Sequence, residues 1–434
     1  MEVWVEKHVI RSSDPLYIGF LEDANAGTHL YNRTIYILRQ AFTDHHENIQ
    51  EYADLIGEEK FISYENMVKR MAKLGEPVYK ALKSQVAQKV VKEACKAFFN
   101  FFAALRSYKK NPKVFTGRPK MPKPKDSKSY RTLTYDYQAA RLQKDGTINI
   151  SKTRKLPLHT NLTKFKEMKL VPKHGCIIAK ISYEKPLEII DGLQFDKVAA
   201  GDMGVNNLMA ITSNDGSICS LVNGRPLKFI NYRYNKDLAK LQKHHDSEEE
   251  SKRYRKRLDA ITRKRDFRVD DCLHKASRLI VNALVKNRVA RCFIGLNWDW
   301  KQRCKMKHHT KQMQNFQQVA FSQLVWMIQY KAALYGIEVT TLKEDHTSKC
   351  SYYDDEAVCH HSSYAGVRAK RGCFITEEGR ILNADINASL NILKRGQGSH
   401  FGFHQSFFNP KIVNPDAPVG ARACRMSGRI PNPC

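Results

Sequence analysis

Residues 195–223 read FDKVAAGDMGVNNLMAITSNDGSICSLVN. Three short runs rich in apolar and β-branched residues, KVAAGD, LMAITS and SICSLVN, are separated by GVNN and by NDG. Gly and Asn at such breaks supply the tight connections that antiparallel neighbours need, so three successive antiparallel strands are expected. Working outward, residues about 234–290 form a long helical stretch, with SEEESK near its middle as a hairpin tip. ARCFIGLN (290–297) reads as a fourth strand. NFQQVAFSQLVWMIQYKAALYG (315–336) reads as an amphipathic helix stopped by Gly336. IEVTTLK (337–343) reads as a fifth strand, and NADINASLNILKRG (383–396) as a closing helix.

Three antiparallel strands followed by strands alternating with helices is the order of an RNase H-like α/β fold. The same order brings acids to strand ends. Asp202 follows the apolar run Val198, Ala199, Ala200 and is flanked by Gly201 and Gly204, which would let a bulky metal–phosphate assembly approach the backbone. Glu344 follows a β-branched strand, with Asp345 beside it. Asp385 opens the closing helix, whose small residues allow close packing on the sheet. Each has an ordinary explanation on its own: a strand-end turn, a solvated strand end, a first-turn acid. Jointly they are what a two-metal nuclease requires, hard oxygen ligands around Mg²⁺ ions roughly 4 Å apart. Without metal, carboxylates crowded in this way repel one another. The end of the fourth strand is awkward, with Asn297 where an acid would be convenient and Asp299 two residues on. Glu344 is preferred because the adjacent fifth strand can aim its terminal side chain into the same cleft.

The 434 residues are 42% hydrophobic and 10% aromatic, enough for real cores, yet carry a formal net charge of +29. Length suggests two to three domains. The charge points to a polyanionic partner and makes nucleic-acid binding the expectation. No apolar run is long enough for a membrane span and the amino terminus lacks a signal-type apolar core. The 11 cysteines are scattered and odd in number, which fits reduced thiols in a cytoplasm.

Upstream, residues 1–12 alternate apolar and polar and suggest a first strand. Residues about 25–106 read helical, with Val78, Leu82, Val86, Val90, Val91, Ala94 and Phe98 on one stripe and Pro77 starting a new helix. YKKNPKVFTGRPKMPKPKDSKSYR (108–131) is too rich in Pro for a helix and reads as a basic arm laid on a phosphate backbone. RTLTYDY, TINIS and CIIAKISYE then suggest a small β-barrel or sheet over about 127–188, joined by the first strand. Candidate nucleic-acid contacts are Lys109, Lys110, Lys113, Arg118, Lys120, Lys123 and Arg131, with Arg253, Arg255, Lys256, Arg257, Lys264 and Arg265 in KRYRKRLDAITRKRDFR (252–268). Tyr108, Phe115, Tyr130, Tyr135 and Tyr137 interleave with these cations and can stack on unpaired bases, although core packing is expected for about half of them. Gln138 is a weak candidate for a base-edge contact. The tail from about Gly396, rich in Gly, Pro, Asn and Ser, is expected to be mobile.

GDMGVNNLMAI, HKASRLIVNAL, IGLNWDWKQ, the 315–336 helix with IEV, EDHTSKCSYYDDE, GVRAKRG and NADINASLNIL together resemble the TnpB family, RNA-guided nucleases of bacterial and archaeal insertion sequences. FFNFFAALRSYKKNPKVFTGRPKMPK is also similar to that family, so the resemblance covers nearly the whole chain up to about 396. It resembles in particular the branch whose second catalytic acid has moved from the fourth strand to the segment before T-S-K. The resemblance implies Asp202, Glu344 and Asp385 as the catalytic, Mg²⁺-binding triad of a RuvC nuclease domain over 193–395. It implies a wedge domain, with its first strand in 1–15 and its β-barrel in 107–192, and a helical recognition domain inserted at 16–106. Type V CRISPR effectors share that architecture. Many relatives carry a zinc ribbon of two Cys-x-x-Cys pairs between the second and third acids. Here 346–378 holds Cys350, Cys359, His360, His361 and Cys373 without such a pair. Reduced cysteines in a shortened, finger-like loop are therefore preferred to structural Zn²⁺.

The resemblance further implies a guide RNA from the element itself and a double-stranded DNA target beside a short flanking motif. Cleavage would be Mg²⁺-dependent, in a bacterial or archaeal cytoplasm at the nucleoid. Two other functions compete with this reading: a guided, repressor-like DNA-binding protein that does not cut, and an RNase H-like transposase acting without RNA, which uses similar acids. The presence of all three acids speaks against the first.

Overall fold

The computed structural model describes residues 2–47, 51–52, 55, 63–150, 157–242, 248–297, 311–370 and 372–415. The chain divides into two compact units, Val3–Lys185 and the chain from Pro186 on. Among the described residues no helix is long and apolar enough to cross a membrane.

The first unit contains β1 (Glu2–Arg11), α1 (Leu16–Glu47), α2 (Tyr64–Lys73), α3 (Pro77–Lys80), α4 (Ser84–Lys110), β2 (Leu133–Asp136), β3 (Arg141–Leu142), β4 (Thr147–Asn149), β5 (Pro157–His159), β6 (Glu167–Lys173) and β7 (Cys176–Lys185). Pro77 starts a helix, in the first turn where its missing N–H is harmless. That helix lasts one turn, so the predicted stripe is divided between α3 and α4. Its residues still meet: Leu82, Val86, Val90 and Phe98 lie in one buried cluster with Leu30 and Ile35 of α1 and with Leu133, Tyr135 and Ile177 of the strands. Helices and strands that the sequence sets apart as two domains thus share one core. Gly27 permits the approach of α1 to β2, since a Cβ there would stand 2.6 Å from Leu133 Cδ2. The small barrel or sheet expected over about 127–188 takes the form of two sheets among the described residues, β1-β7-β6-β2 and β3-β4-β5, with the first strand joined at the edge of the larger.

The second unit contains β8 (Gln194–Met203), β9 (Asn207–Ser213), β10 (Cys219–Asn223), α5 (Arg225–Gln242), α6 (Glu248–Lys286), β11 (Val289–Gly295), α7 (Lys311–Gln318), α8 (Phe321–Ala333), β12 (Glu338–Leu342), β13 (Val367–Lys370), β14 (Cys373–Ile375), β15 (Ile381–Asn383), α9 (Ala384–Gln397) and β16 (Lys411–Val413). The main sheet runs β12-β11-β8-β9-β10-β16. β8, β9 and β10 are antiparallel, and β11 and β12 add parallel strands beyond β8. This is the arrangement that the element order predicts. Alternation along the strands divides their side chains between two layers. Ala199 and Met203 of β8 pack under α6 and α8. Val198 and Ala200 of β8, with Phe293 of β11, face α9.

Three expectations differ from the structure. α6 begins at Glu248, so SEEESK supplies the start of a helix rather than a turn; the connection at 243–247 lies outside the described residues, as do Ser151 of the TINIS run and Asp299. The 315–336 helix breaks at Val319 and Ala320 into α7 and α8, where Phe316 and Phe321 pack ring to ring at 5.6 Å. The tail is not mobile from Gly396. Gly398 closes α9 with φ 75°, Phe407 is buried, and β16 adds a parallel strand to β10. Aromatic residues in FGFHQSFF outweigh the Gly and Asn around them. Residues beyond 415 lie outside the described residues.

Gly396 within α9 would place a Cβ 2.5 Å from the Phe293 ring. Helix propensity alone favours Gly396→Ala by about 1 kcal/mol. Overpacking costs about 1–3 kcal/mol, so thermal unfolding should show net destabilisation; a stabilised variant would mean that α9 and β11 are not in close contact there.

Candidate active site

Strand alternation accounts for where the acids stand. On β8, Asp202 shares the side of Val198 and Ala200, which face α9. Leu342 of β12 packs in the same layer, and Glu344 lies two residues further on. Asp385 is in the first turn of α9, where Asn383 caps the helix by accepting from the Asp385 and Ile386 N–H groups at 3.0 and 3.3 Å. All three acids therefore reach the same side of the sheet, at the carboxyl ends of β8 and β12 and the amino end of α9.

Charge is poorly compensated there. Burial, and then the carboxylates of Glu344 and Asp385, hold the Asp202 carboxyl well above its ordinary range, against a smaller opposing effect of Arg368. Burial, with Asp345 adding to it, pushes Glu344 up to about 7. Glu344 Oε2 is buried without a hydrogen-bond partner. A buried carboxylate oxygen left unpaired is costly and invites a cation. Asp385 is better served: Asn207 Nδ2 donates to it at 2.8 Å and Arg368 Nη2 at 3.3 Å. The donor set is hard carboxylate oxygen, which suits Mg²⁺. No three His, Cys, Asp or Glu side chains among the described residues gather closely enough to form a metal cage by themselves. Mg²⁺ commonly takes one or two carboxylates and completes its shell with water and phosphate, so the residues fit ions shared with a nucleic-acid backbone.

Gly295 resolves the awkward fourth strand. It shares the α9-facing side of β11 with Phe293. A Cβ at Gly295 would stand 2.5 Å from Ile392 Cδ1 and 2.9 Å from Glu344 Oε2. At this position β11 has no side chain, and the carboxylate arriving from beyond β12 fills that space. Arg395 of α9 fixes this arrival by donating to the carbonyls of Lys343 at 2.6 Å and Asp345 at 2.7 Å, on either side of Glu344. Asn207, Gly295, Arg368 and Arg395 were all missed by the sequence reading. Their contacts are long-range; the motifs GDMGVNNLMAI, IGLNWDWKQ and GVRAKRG contain Asn207, Gly295 and Arg368, but nothing local in them marks a role. The glycines flanking Asp202 serve packing rather than a ligand: a Cβ at Gly201 would meet Met209 Sδ at 2.7 Å, and one at Gly204 the Asn207 carbonyl at 2.8 Å.

The 346–378 region does not fit zinc. Cys350 and Cys373 are buried, Cys359 is exposed, and among the described residues no three His, Cys, Asp or Glu side chains gather there as a four-ligand zinc site would need. Tyr353 ties the two halves of this region together. Its hydroxyl meets Glu378 at 3.3 Å, its ring lies under Arg380 at 4.8 Å and against Phe403 at 4.9 Å, and neighbouring Asp354 accepts from the Glu377 N–H at 3.0 Å.

Of the candidate nucleic-acid contacts, Lys109, Lys110, Lys113, Arg118, Lys120 and Lys123 are exposed in the first unit. Arg253, Arg255, Lys256, Arg257 and Lys264 are exposed on α6 in the second. Two arginines are spent inside their own units. Arg131 pairs with Glu93 and lies over Tyr31 at 4.0 Å. Arg265 donates to Asn231 and to the Gln318 carbonyl at 3.0 and 3.3 Å. Tyr130, Tyr137 and Gln138 are exposed, Tyr135 is core, and Tyr108 packs edge-on against Phe115.

With this geometry described, known proteins fall into place beside it. A family model described as OrfB_IS605, probable transposase, matches residues 188–300, and one described as the Cas12f1-like TNB domain matches residues 321–392. These two matches together span less than half of the chain, which is similar to those families over the matched segments. A TnpB-like protein, ORF457, of Acidianus two-tailed virus is 24% identical over 210 residues, 47% of this chain and 42% of that relative. The chain thus matches less than half the length of that curated relative. Cryo-EM structures of a Cas12f1–sgRNA–target DNA complex and of a CRISPR-Cas12f ternary complex align over 86% of this chain and 81% of theirs. Their TM-scores are 0.49 and 0.36, at 16% and 15% identity.

Two outcomes follow from the charges and from the absence of Cys-x-x-Cys pairs in 346–378. Because Glu344 is raised from its ordinary 4.5 to about 7, the folded protein holds a proton that the unfolded chain releases. Stability in EDTA should therefore fall as pH rises between about 4.5 and 7. In thermal unfolding, Glu344→Gln should remove much of that fall; an unchanged pH profile would contradict the burial of this carboxyl. Purified protein should contain far less than one equivalent of zinc by elemental analysis, and a zinc chelator should leave its melting temperature unchanged. Stoichiometric zinc would overturn the account of Tyr353.

Proposed function

We propose that the chain is an RNA-guided DNA endonuclease encoded by a transposable element, hydrolysing phosphodiesters with Mg²⁺ in a RuvC-like site. The observation that carries this reading is the meeting of Asp202, Glu344 and Asp385 on one side of the sheet with too little protein charge to balance them. Asp202, Glu344 and Asp385 are the residues that would hold the metal. When bound, Mg²⁺ would supply an activated water and a counter-charge for the leaving oxygen.

The chain's own contribution is positioning and proton release. Asp202 and Glu344 must lose their protons to serve as ligands, so the Mg²⁺ requirement should ease as pH rises through about 7. Asn207 and the Asn383 cap orient Asp385. Arg368 offers a guanidinium beside Asp385, at the place where a scissile phosphate would bring negative charge. The exposed cations of α6 and of the basic segment suit a guide RNA and a target DNA held by their backbones rather than read by sequence. The match to a probable transposase model keeps open strand transfer without RNA, and dependence on RNA separates the two.

The test is plasmid cleavage by protein co-purified with RNA transcribed from its own locus. Cutting should require that RNA, a matched target and Mg²⁺. Asp202→Ala, Glu344→Ala and Asp385→Ala should each reduce it below detection while RNA still co-purifies, and Arg368→Ala should slow it roughly 10²-fold. Asp385→Ala cutting at the wild-type rate would refute the site.

A further inference from the structure

Between Arg106 and Arg131 the chain carries ten lysines and arginines against one acid, Asp126. A segment of this kind has little to bury and on composition alone would be a loose linker. It is not loose. The main chain of residues 122–131 lies antiparallel along α1 and is fastened at successive turns of that helix. Arg39 Nη1 donates to the Pro122 carbonyl at 3.0 Å. Asn32 grips Lys125 from both sides, donating to its carbonyl at 2.8 Å and accepting from its N–H at 2.7 Å. Thr28 Oγ1 donates to the Ser129 carbonyl at 2.9 Å, and Asn25 Nδ2 to the carbonyls of Ser127 and Ser129 at 2.8 and 3.3 Å. The Arg131 N–H closes the run on the Ala24 carbonyl at 3.1 Å.

The chemistry is matched on the two sides. Pro122 and Pro124 remove main-chain donors, and α1 presents mostly donors, which serve carbonyls. Every bond from α1 is to the main chain of the segment. The side chains of Lys123, Lys125 and Lys128 are left exposed. Asp126 is used locally, accepting from the Lys128 N–H at 2.9 Å.

We propose that residues 122–131 are a preformed phosphate grip, splayed along α1 so that Lys123, Lys125 and Lys128 engage successive backbone phosphates of a nucleic acid, with Asn25 and Asn32 as positioning residues. This rests on the nucleic-acid reading above. The polyanion need not order the segment on binding, because α1 has already done so. Each lysine that meets a phosphate releases counterions, while each asparagine acts only through the ordering of the segment.

The two kinds of residue therefore separate in a salt titration. Affinity is measured from about 50 to 300 mM salt for a fluorescent 20-base-pair RNA duplex and for the DNA duplex of the same sequence. K123A/K125A/K128A should lower the slope of log affinity against log salt by about two to three. N25A/N32A should weaken binding several-fold at every salt with the slope unchanged, and trypsin should cut its 118–128 segment faster than in the wild type. The probe that loses slope identifies whether A-form RNA or B-form DNA is gripped. A triple lysine variant with wild-type slope on both probes overturns the grip while leaving nucleic-acid binding elsewhere intact. An asparagine variant with wild-type affinity and protease resistance overturns the positioning role. Wild-type protein that binds neither probe removes the nucleic-acid reading itself and this inference with it.

Discussion

Everything at the candidate site depends on how α9 is seated. The helix is buried on nearly all sides, and a helix so enclosed must satisfy polar groups as well as pack apolar ones. Ser389 does both at the sheet, donating to the Ala200 carbonyl at 2.9 Å and meeting Thr212 at 2.9 Å. On the other side Asn387 and Asn391 hold the main chain of Thr347, Cys350 and Tyr352, and Arg395 brackets Glu344. One helix therefore carries Asp385 at its head, presses on the strand that bears Asp202, and ties down the segment that bears Glu344.

The polar stitching also bears on how the 346–378 region is held. Small inserts with no core of their own need staples. Here they are protein groups: the Glu356 carboxylate accepts from the Ser351 and Ala365 N–H groups at 2.7 and 3.1 Å, and Lys394 reaches the carbonyls of Asp355 and Glu356. The result presents Arg368, on β13, to Asp385. Disposition of the insert and charge at the site are thus linked through α9.

Much of this was legible in the sequence. Short apolar and β-branched runs located the five central strands, helical patterns the segments between them, and two strand ends and one helix start marked the three acids, because those signals are local. What escaped was non-local. Gly295 reads as an ordinary strand-end glycine until Glu344 is seen against it. Arg395 looks like a helix C-terminal cation, and Arg368 like one basic residue among many. The tail looked mobile because it is rich in Gly, Pro, Asn and Ser, whereas the burial of Phe407 decides the fate of its first part. The basic segment is non-helical only from Phe115 on, since α4 runs to Lys110 and a short 3-10 turn spans Pro112–Val114, and the stripe on α1 that fastens it resembles any solvated helix face.

The pairing of Gly295 with Glu344 has a consequence for how such sites are recognised. A cation senses where oxygen atoms stand, not which strand delivers them. Once β11 gives up its side chain, a neighbouring strand can supply the same oxygen to the same volume, provided its backbone is anchored as Arg395 anchors this one. A pattern search that demands an acid at the end of β11 would score this chain as having lost a ligand, although the space at Gly295 is filled by a carboxylate. Ligand inventories taken position by position will undercount such sites, and inventories taken by occupied volume will not.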